Sequence, residues 1–252
     1  MKYAHVLITG ASSGIGEALA LFYASSGTQL LSLCGRNKER LDLVAEVCRG
    51  LGAEVSVKIL DIADKDAVWT WVNEQNEKKP LNLVFANAGV ATLEETADNV
   101  RRTFEINVMG VVNTVLPVIE LFKKAPLSQV KHIAITSSIA GYHGMPTCPS
   151  YAATKAGVKA WGEGLRLSLR PLGINVSVIC PGFVRSRITD KNTCPMPFFM
   201  EAEQAARIIA KRIEKNVGLI AFPWQMRLAT WLGSILPNCI SEFIYSKLPY
   251  KV

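Results

Sequence analysis

Thr9-Gly10-Ala11-Ser12-Ser13-Gly14-Ile15-Gly16 closes the first apolar run of the chain, His5–Thr9, and opens a helical stretch, Gly16–Ser26. A strand that ends in a glycine-rich turn and passes straight into a helix has a specific physical use. Gly10 lets the chain leave the strand sharply, and Gly14 lets the backbone come close to a pyrophosphate. Gly16 lets the helix pack against the sheet, while Ser12, Ser13 and Ile15 complete the turn. The helix N-terminus then presents unpaired N–H groups and the positive end of its dipole to phosphate oxygens. A glycine-rich turn without a ligand has the same composition. Its place between the first strand and the first helix is the context that favours dinucleotide binding.

The alternation continues outward from this turn. Gln29–Cys34, Val55–Leu60, Leu81–Ala86, Val130–Ser137 and Asn175–Cys180 are short, rich in Val, Ile and Leu, and mostly too apolar to have a solvated face. Helical patterns fill the gaps at Lys38–Gly50, Lys65–Glu77, Asp98–Phe122 and Ser150–Leu169, and a last short strand falls near Leu219–Phe222. Strand and helix repeated in this way predict right-handed βαβ units, hence an α/β fold with a doubly wound parallel sheet of about seven strands. No Pro/Gly/Ser-rich linker divides the series, so residues 1–252 read as one domain.

Composition agrees with that reading. With 252 residues, 49% hydrophobic and 19% charged, the chain has ample material for one large core. The N-terminus lacks a signal-peptide pattern. Cys34, Cys48, Cys148, Cys180, Cys194 and Cys239 form no CxxC pair and no His-linked spacing, so we expect reduced thiols, no metal site and a cytoplasmic location. The net charge of +7 is dispersed rather than striped, which suits a polyphosphate cofactor better than a nucleic acid.

The second strand ends Leu33-Cys34-Gly35-Arg36-Asn37. A carboxylate commonly stands there when the ribose 2′-hydroxyl of NAD is bound; here it is missing. Gly35 leaves room, and the Arg36 guanidinium can fork onto a 2′-phosphate, with Ser12 and Arg40 as helpers. The expected cofactor is therefore NADP, with NADPH preferred over NADH. The plain alternative is that Arg36 only begins a charged, solvated helix.

Tyr151 and Lys155 lie i, i+4 on one helical face. Alone this pair means little, but its company is informative. Ser138 follows the fifth strand, Asn87-Ala88-Gly89 the fourth, and Pro181-Gly182 the sixth, and such strand ends line the ligand crevice of a doubly wound sheet. Taken in order, TGASSGIG at Thr9–Gly16, Asp61, NAG at Asn87–Gly89, Asn107, Ser138, YAATK at Tyr151–Lys155 and Pro181-Gly182 resemble the short-chain dehydrogenase/reductase family over nearly the whole chain. The Thr usual five residues past the Pro is Ser186 here, which keeps the hydroxyl.

This resemblance implies a Rossmann-type fold and an oxidoreductase that moves a hydride between nicotinamide and a carbonyl or secondary alcohol carbon. Tyr151 would be the general acid/base. A tyrosine pKa of about 10 is too high for efficient proton exchange near neutrality, and a nearby Lys155 ammonium together with oxidised nicotinamide should lower it. Ser138 would orient the substrate oxygen, and Lys155 would also bond the nicotinamide ribose. Asn107 would hold a water that links Lys155 to solvent. Asp61 corresponds to the adenine contact, Asn87, Ala88 and Gly89 to the wall beside the adenosine ribose, and Val184 with Ser186 to the carboxamide clamp. Taken singly, Ser138 could merely satisfy backbone, Asn107 be a buried amide and Asp61 cap a helix.

Two other functions remain open: a non-catalytic NADPH-binding regulatory protein, against which the intact Ser138, Tyr151 and Lys155 argue, and a 3-oxoacyl-carrier-protein reductase. Phe183–Met200 reads as a substrate lid rich in apolar residues, so an apolar carbonyl substrate is expected. The small residues Ala152, Ala153, Ala156, Gly157, Ala160 and Gly164 on the Tyr151 helix, together with the resemblance, imply at least a homodimer. Residues 223–251 form an apolar, helical tail broken by Pro237 and too short in each part to span a membrane. It is expected to pack on the protein's own body, on a dimer mate or, less in keeping with its thin polar face, on a membrane surface.

Overall fold

A computed structural model describes residues 3–92, 94–190 and 195–245. Seven strands, β1 (His5–Thr9), β2 (Leu30–Gly35), β3 (Glu54–Ile59), β4 (Leu83–Ala86), β5 (His132–Thr136), β6 (Asn175–Pro181) and β7 (Leu219–Phe222), form one sheet in the order β3-β2-β1-β4-β5-β6-β7. Every pairing is parallel. The strands alternate with α1 (Gly14–Ser25), α2 (Lys38–Gly50), α3 (Lys65–Lys78), α4 (Ala97–Phe104), α5 (Gly110–Lys124), α6 (Pro149–Leu169) and α7 (Ala202–Glu214). The Rossmann-type doubly wound sheet expected from the sequence is present. Strand periodicity explains its two cores: Val6 and Ile8 face the layer that holds α1 and α7, whereas Leu7 faces the layer of α3 and α5.

Three local expectations needed adjustment. β3 is an edge strand with a partly solvated surface, Ile59 being 44% exposed, because it has only β2 to pair with. The single helix expected at Asp98–Phe122 is α4 and α5 joined by a π-helical turn at Glu105–Met109. Helix α1 begins at Gly14, within the glycine-rich turn rather than after it.

One buried charge has a purely structural explanation. Lys131, 1% exposed, donates from Nζ to the carbonyls of Phe122 (3.3 Å), Ala125 (3.4 Å) and Leu172 (3.1 Å). It thus satisfies carbonyls at the C-terminal end of α5 and in the turn before β6, where no helical N–H is available.

The tail forms α8 (Trp224–Ile235) and α9 (Asn238–Tyr245), broken at Pro237. Among the described residues, most of its apolar side chains are not buried on the protein's own body. Trp224, Trp231, Ile235 and Phe243 are 69%, 51%, 59% and 66% exposed, because α8 touches the rest of the chain mainly through β7 and the turn at Ile139–Tyr142. Residues 246–251, the last part of the expected tail, lie outside the described residues.

Candidate active site

The carboxyl ends of β1, β4, β5 and β6 open onto a cleft of about 660 Å³. It lies where the winding reverses, β2 standing on one side of β1 and β4 on the other, the place where doubly wound sheets bind ligands. All the catalytic and cofactor-binding residues expected from the sequence line this cleft except Gly14, Gly16 and Asn107, which stand directly behind its wall.

The turn after β1 is shaped by close approach. Gly10 adopts φ +69°, and a Cβ there would lie 2.7 Å from the Ala88 Cα; Gly14 adopts φ +59°, and its Cβ would lie 2.9 Å from that of Ser186. Any side chain at either position is therefore strained as well as crowded. Thr9 locks the opposite wall in place: its Oγ1 accepts the N–H groups of Asn87 (3.0 Å) and Ala88 (3.2 Å) and donates to the Phe85 carbonyl (3.2 Å). Asn87 returns a bond from Nδ2 to the Thr9 carbonyl (3.2 Å) and accepts from Thr136 Oγ1 (3.2 Å).

This cradle fits a dinucleotide. Ser13 is the N-cap of α1 but makes no capping bond with its side chain, leaving the first-turn N–H groups to other partners. At the β2 side, Arg40 has a buried Nε–H with no partner among the described residues, a costly arrangement that a phosphate oxygen would relieve. Gly35 is pressed to Ser12, whose Oγ would be 3.2 Å from a Cβ there. The Arg36 side chain is 55% exposed, with Nη1 3.9 Å from Asp61 Oδ2.

Asp61 is more heavily engaged than its expected adenine contact implied. Its Oδ1 accepts the Ala63 N–H at 3.1 Å and its Oδ2 takes a short charged bond from Arg102 Nη2. Burial pulls its pKa upward, but the Ala63 N–H and the Arg102 and Arg36 guanidiniums outweigh that and hold the carboxyl below its ordinary value.

At the opposite end Ser138, Tyr151 and Lys155 converge. Ser138 accepts the Ala140 N–H (3.1 Å) at the head of the 3₁₀ turn Ile139–Tyr142, which aims its hydroxyl from the end of β5. Lys155 Nζ donates to the Thr136 carbonyl (3.0 Å) and lies 5.7 Å from the centre of the Tyr151 ring. Burial pushes the Tyr151 phenol up to about 12, against the Ser138 hydrogen bond and with help from Cys148 and Cys180. Burial also brings Lys155 down to about 8. The lowering of the Tyr151 pKa expected from Lys155 together with oxidised nicotinamide is not produced by the protein's own groups alone. Desolvation of the phenolate dominates, and the ammonium is bonded to a backbone carbonyl.

Asn107 sits in the π-turn, fully buried. Its Oδ1 accepts the Val90 N–H (2.8 Å), while Nδ2 donates to the Val90 carbonyl (2.8 Å) and to Thr154 Oγ1 (3.2 Å). The side chain therefore braces the backbone after β4 against α6. Gly89 is wedged in the same place, where a Cβ would lie 3.2 Å from Asn107 Oδ1 and 3.3 Å from Lys155 Nζ.

Several residues at the site escaped the sequence reading. Ser137 Oγ donates to the Lys155 carbonyl (2.7 Å). Glu95 accepts both the N–H (3.1 Å) and the hydroxyl (2.8 Å) of Ser150, which holds the start of α6 one residue ahead of Tyr151. Arg102 reaches Asp61 across 41 positions of sequence. No local pattern marks such partners; only Ser137, adjacent to Ser138, offered a positional hint.

Only part of the segment 183–200 borders the cleft. Val184, Ser186, Ile188 and Thr189 line the cleft, but Phe198 and Phe199 are 53% and 38% exposed, the latter under the Arg185 guanidinium. Phe198 and Phe199 thus face outward, whereas Met200 is buried and pairs with Phe183 and Val184. Residues 191–194 lie outside the described residues. From the tail, Met226 of α8 packs on Gly182, its Sδ 2.8 Å from where a Cβ would sit.

The family model for short chain dehydrogenases matches residues 4–195. The chain belongs to the short-chain dehydrogenase/reductase family. An uncharacterized oxidoreductase of Myxococcus xanthus is 34% identical over 243 residues, covering 94% of each chain. Among solved structures, a short-chain dehydrogenase of Sphingobium yanoikuyae in complex with NADPH is 26% identical with a TM-score of 0.80, covering 97% of this chain and 96% of that one. A Burkholderia phymatum short-chain dehydrogenase/reductase in complex with NAD is also 26% identical with a TM-score of 0.80, covering 90% and 92%. This is accordingly an oxidoreductase family member with a nicotinamide-nucleotide fold.

Proposed function

We propose that this short-chain dehydrogenase/reductase is an NADPH-dependent carbonyl reductase, able to run in reverse as an alcohol dehydrogenase, with Tyr151 as the general acid/base. The observation that carries the reading is the convergence of Ser138, Tyr151 and Lys155 at one end of a cleft whose other end holds Arg36 and Arg40. The nicotinamide, when bound, supplies or accepts the hydride. The protein's part is position and proton transfer. Burial raises the Tyr151 phenol to about 12, so it carries its proton through the neutral range, and a bound oxidised nicotinamide would have to lower that value for efficient exchange. Ser138 would direct the substrate oxygen, and Lys155, placed beside Gly89 and Thr136, would hold the nicotinamide ribose and relay protons, with a water near Asn107 as its link to solvent.

The NADPH preference is supported by the absence of a carboxylate at the end of β2, the Arg36 side chain there and the unpartnered Nε–H of Arg40. An apolar carbonyl substrate is supported by Ile188 and by Met226 beside Gly182. The free thiols of Cys34, Cys48 and Cys180, all buried, suit a reducing cytoplasm. A homodimer is supported by α6: Ala153, Ala156, Gly157, Ala160 and Gly164 are exposed, together with Met109 (51%) in the π-helical turn and Leu116 (45%) on α5. Ala152 is buried and does not belong to that surface.

NADPH oxidation over a panel of aldehydes, ketones and acyl thioesters tests the function. Turnover of ketones or aldehydes is expected. Turnover confined to acyl thioesters would favour a carrier-protein reductase, and tight NADPH binding with no turnover would favour a regulatory protein.

A further inference from the structure

Around the 2′-position of the proposed cofactor site stands a cluster of alternating charge that reaches beyond the cleft. Arg36 and Asp61 line the cleft; Arg102, on α4, does not. Arg102 nevertheless holds Asp61 with Nη2 and Glu105 Oε2 with Nη1 at 2.7 Å, so its guanidinium is fixed at both ends. The same Asp61 oxygen lies 3.9 Å from Arg36 Nη1. Two guanidiniums therefore compete for one carboxylate oxygen, and Arg102 sits nearer to it.

We propose that Arg102 is a positioning residue for cofactor choice: by occupying Asp61 it leaves Arg36 available to a 2′-phosphate. The inference rests on the NADPH reading above and adds a residue remote from the cofactor to it. Its physical basis is a choice of partners. Without Arg102, Asp61 keeps the Ala63 N–H but has Arg36 as its one nearby cation among the described residues. Arg36 would either be drawn toward Asp61 and away from the phosphate, or stay with the phosphate and leave the Asp61 carboxylate uncompensated near it. Either outcome weakens NADPH and leaves NADH, which has no 2′-phosphate, nearly untouched.

The test is the ratio of Kd values for NADPH and NADH, measured by titration of the whole protein at low salt. Arg102→Ala should weaken NADPH about tenfold relative to NADH, and Arg102→Lys should keep the ratio within about threefold. Adding Asp61→Asn to Arg102→Ala should return the ratio to near its original value, because the competing carboxylate is gone. Whatever Asp61 gives to adenine binding is common to both nucleotides and cancels in the ratio. A generally damaged helix α4 would instead weaken both nucleotides and would not be rescued. If the unaltered protein prefers NADPH but Arg102→Ala leaves the ratio unchanged, or Asp61→Asn fails to rescue it, this inference alone is wrong. If the unaltered protein prefers NADH, the NADPH reading falls and this inference with it.

Discussion

Replacing Tyr151 by Phe removes one oxygen and leaves the ring where it is. General acid catalysis contributes about 10²–10⁴ in rate, or roughly 3–5 kcal/mol of barrier. The surroundings place this variant near the middle of that range, because neighbouring donors are committed elsewhere. Lys155 Nζ is bonded to the Thr136 carbonyl, and Ser138 Oγ is held between the Ala140 N–H and the Pro181 carbonyl. We therefore expect kcat to fall about 10³-fold. The ring still fills its place and only the Ser138 hydrogen bond disappears, so stability should change by about 1 kcal/mol or less and NADPH affinity should hold. For the unaltered enzyme the pH dependence follows from the two shifted groups. The phenol, raised to about 12, remains protonated, while Lys155, lowered to about 8, loses its charge as pH rises through that value. Carbonyl reduction should thus be level on the acid side of the Lys155 pKa and decline above it, whereas alcohol oxidation, which needs the phenolate, should gain with pH. Steady-state NADPH absorbance in both directions, with Kd from nucleotide fluorescence, measures all of this. A Tyr151→Phe enzyme within tenfold of the original kcat, with its nucleotide affinity intact, would refute the assignment.

Arg36→Ala should weaken NADPH binding by about tenfold, the lower end for a charged contact because a side chain 55% exposed is well screened; an equal loss of NADH affinity would show that Arg36 shapes the site generally. Lys131→Met should lower stability by about 1–3 kcal/mol in urea unfolding, since three carbonyls lose their donor and the Met supplies none. Its activity should be unchanged, because Lys131 precedes β5 at the end of the sheet away from the cleft. Light scattering at micromolar concentration should report a dimer or larger assembly, and an active monomer would overturn the oligomer proposal.

The parallel sheet was legible because a strand covered on both faces must be mostly apolar: Leu83–Ala86 is apolar throughout, and His5–Thr9 and Asn175–Cys180 are interrupted only by His5, Thr9, Asn175 and Ser177. The phosphate turn was legible for a similarly local reason: Gly10 and Gly14 stand where the chain takes φ values that other residues resist. Strand ends indicated the cleft, but that Ser138, Tyr151 and Lys155 belong together there followed from the ordered set of motifs and the family it resembles. Pairings between distant elements were not legible. The bond from Arg102 to Asp61, the grip of Glu95 on Ser150 and the bracing of Val90 by Asn107 join residues 41, 55 and 17 positions apart, and charge or amide chemistry does not announce its partner. The π-turn at Glu105–Met109 likewise keeps the apolar spacing of an ordinary helix. Nor does composition say which way an apolar segment faces. Phe198, Phe199 and the α8 face have the makeup of core, and only the packing of β7, α8 and the 183–200 segment leaves them on the outside. Local periodicity sets what each segment becomes; the long-range pairing of side chains, which the folded backbone alone brings into reach, sets what the site can do.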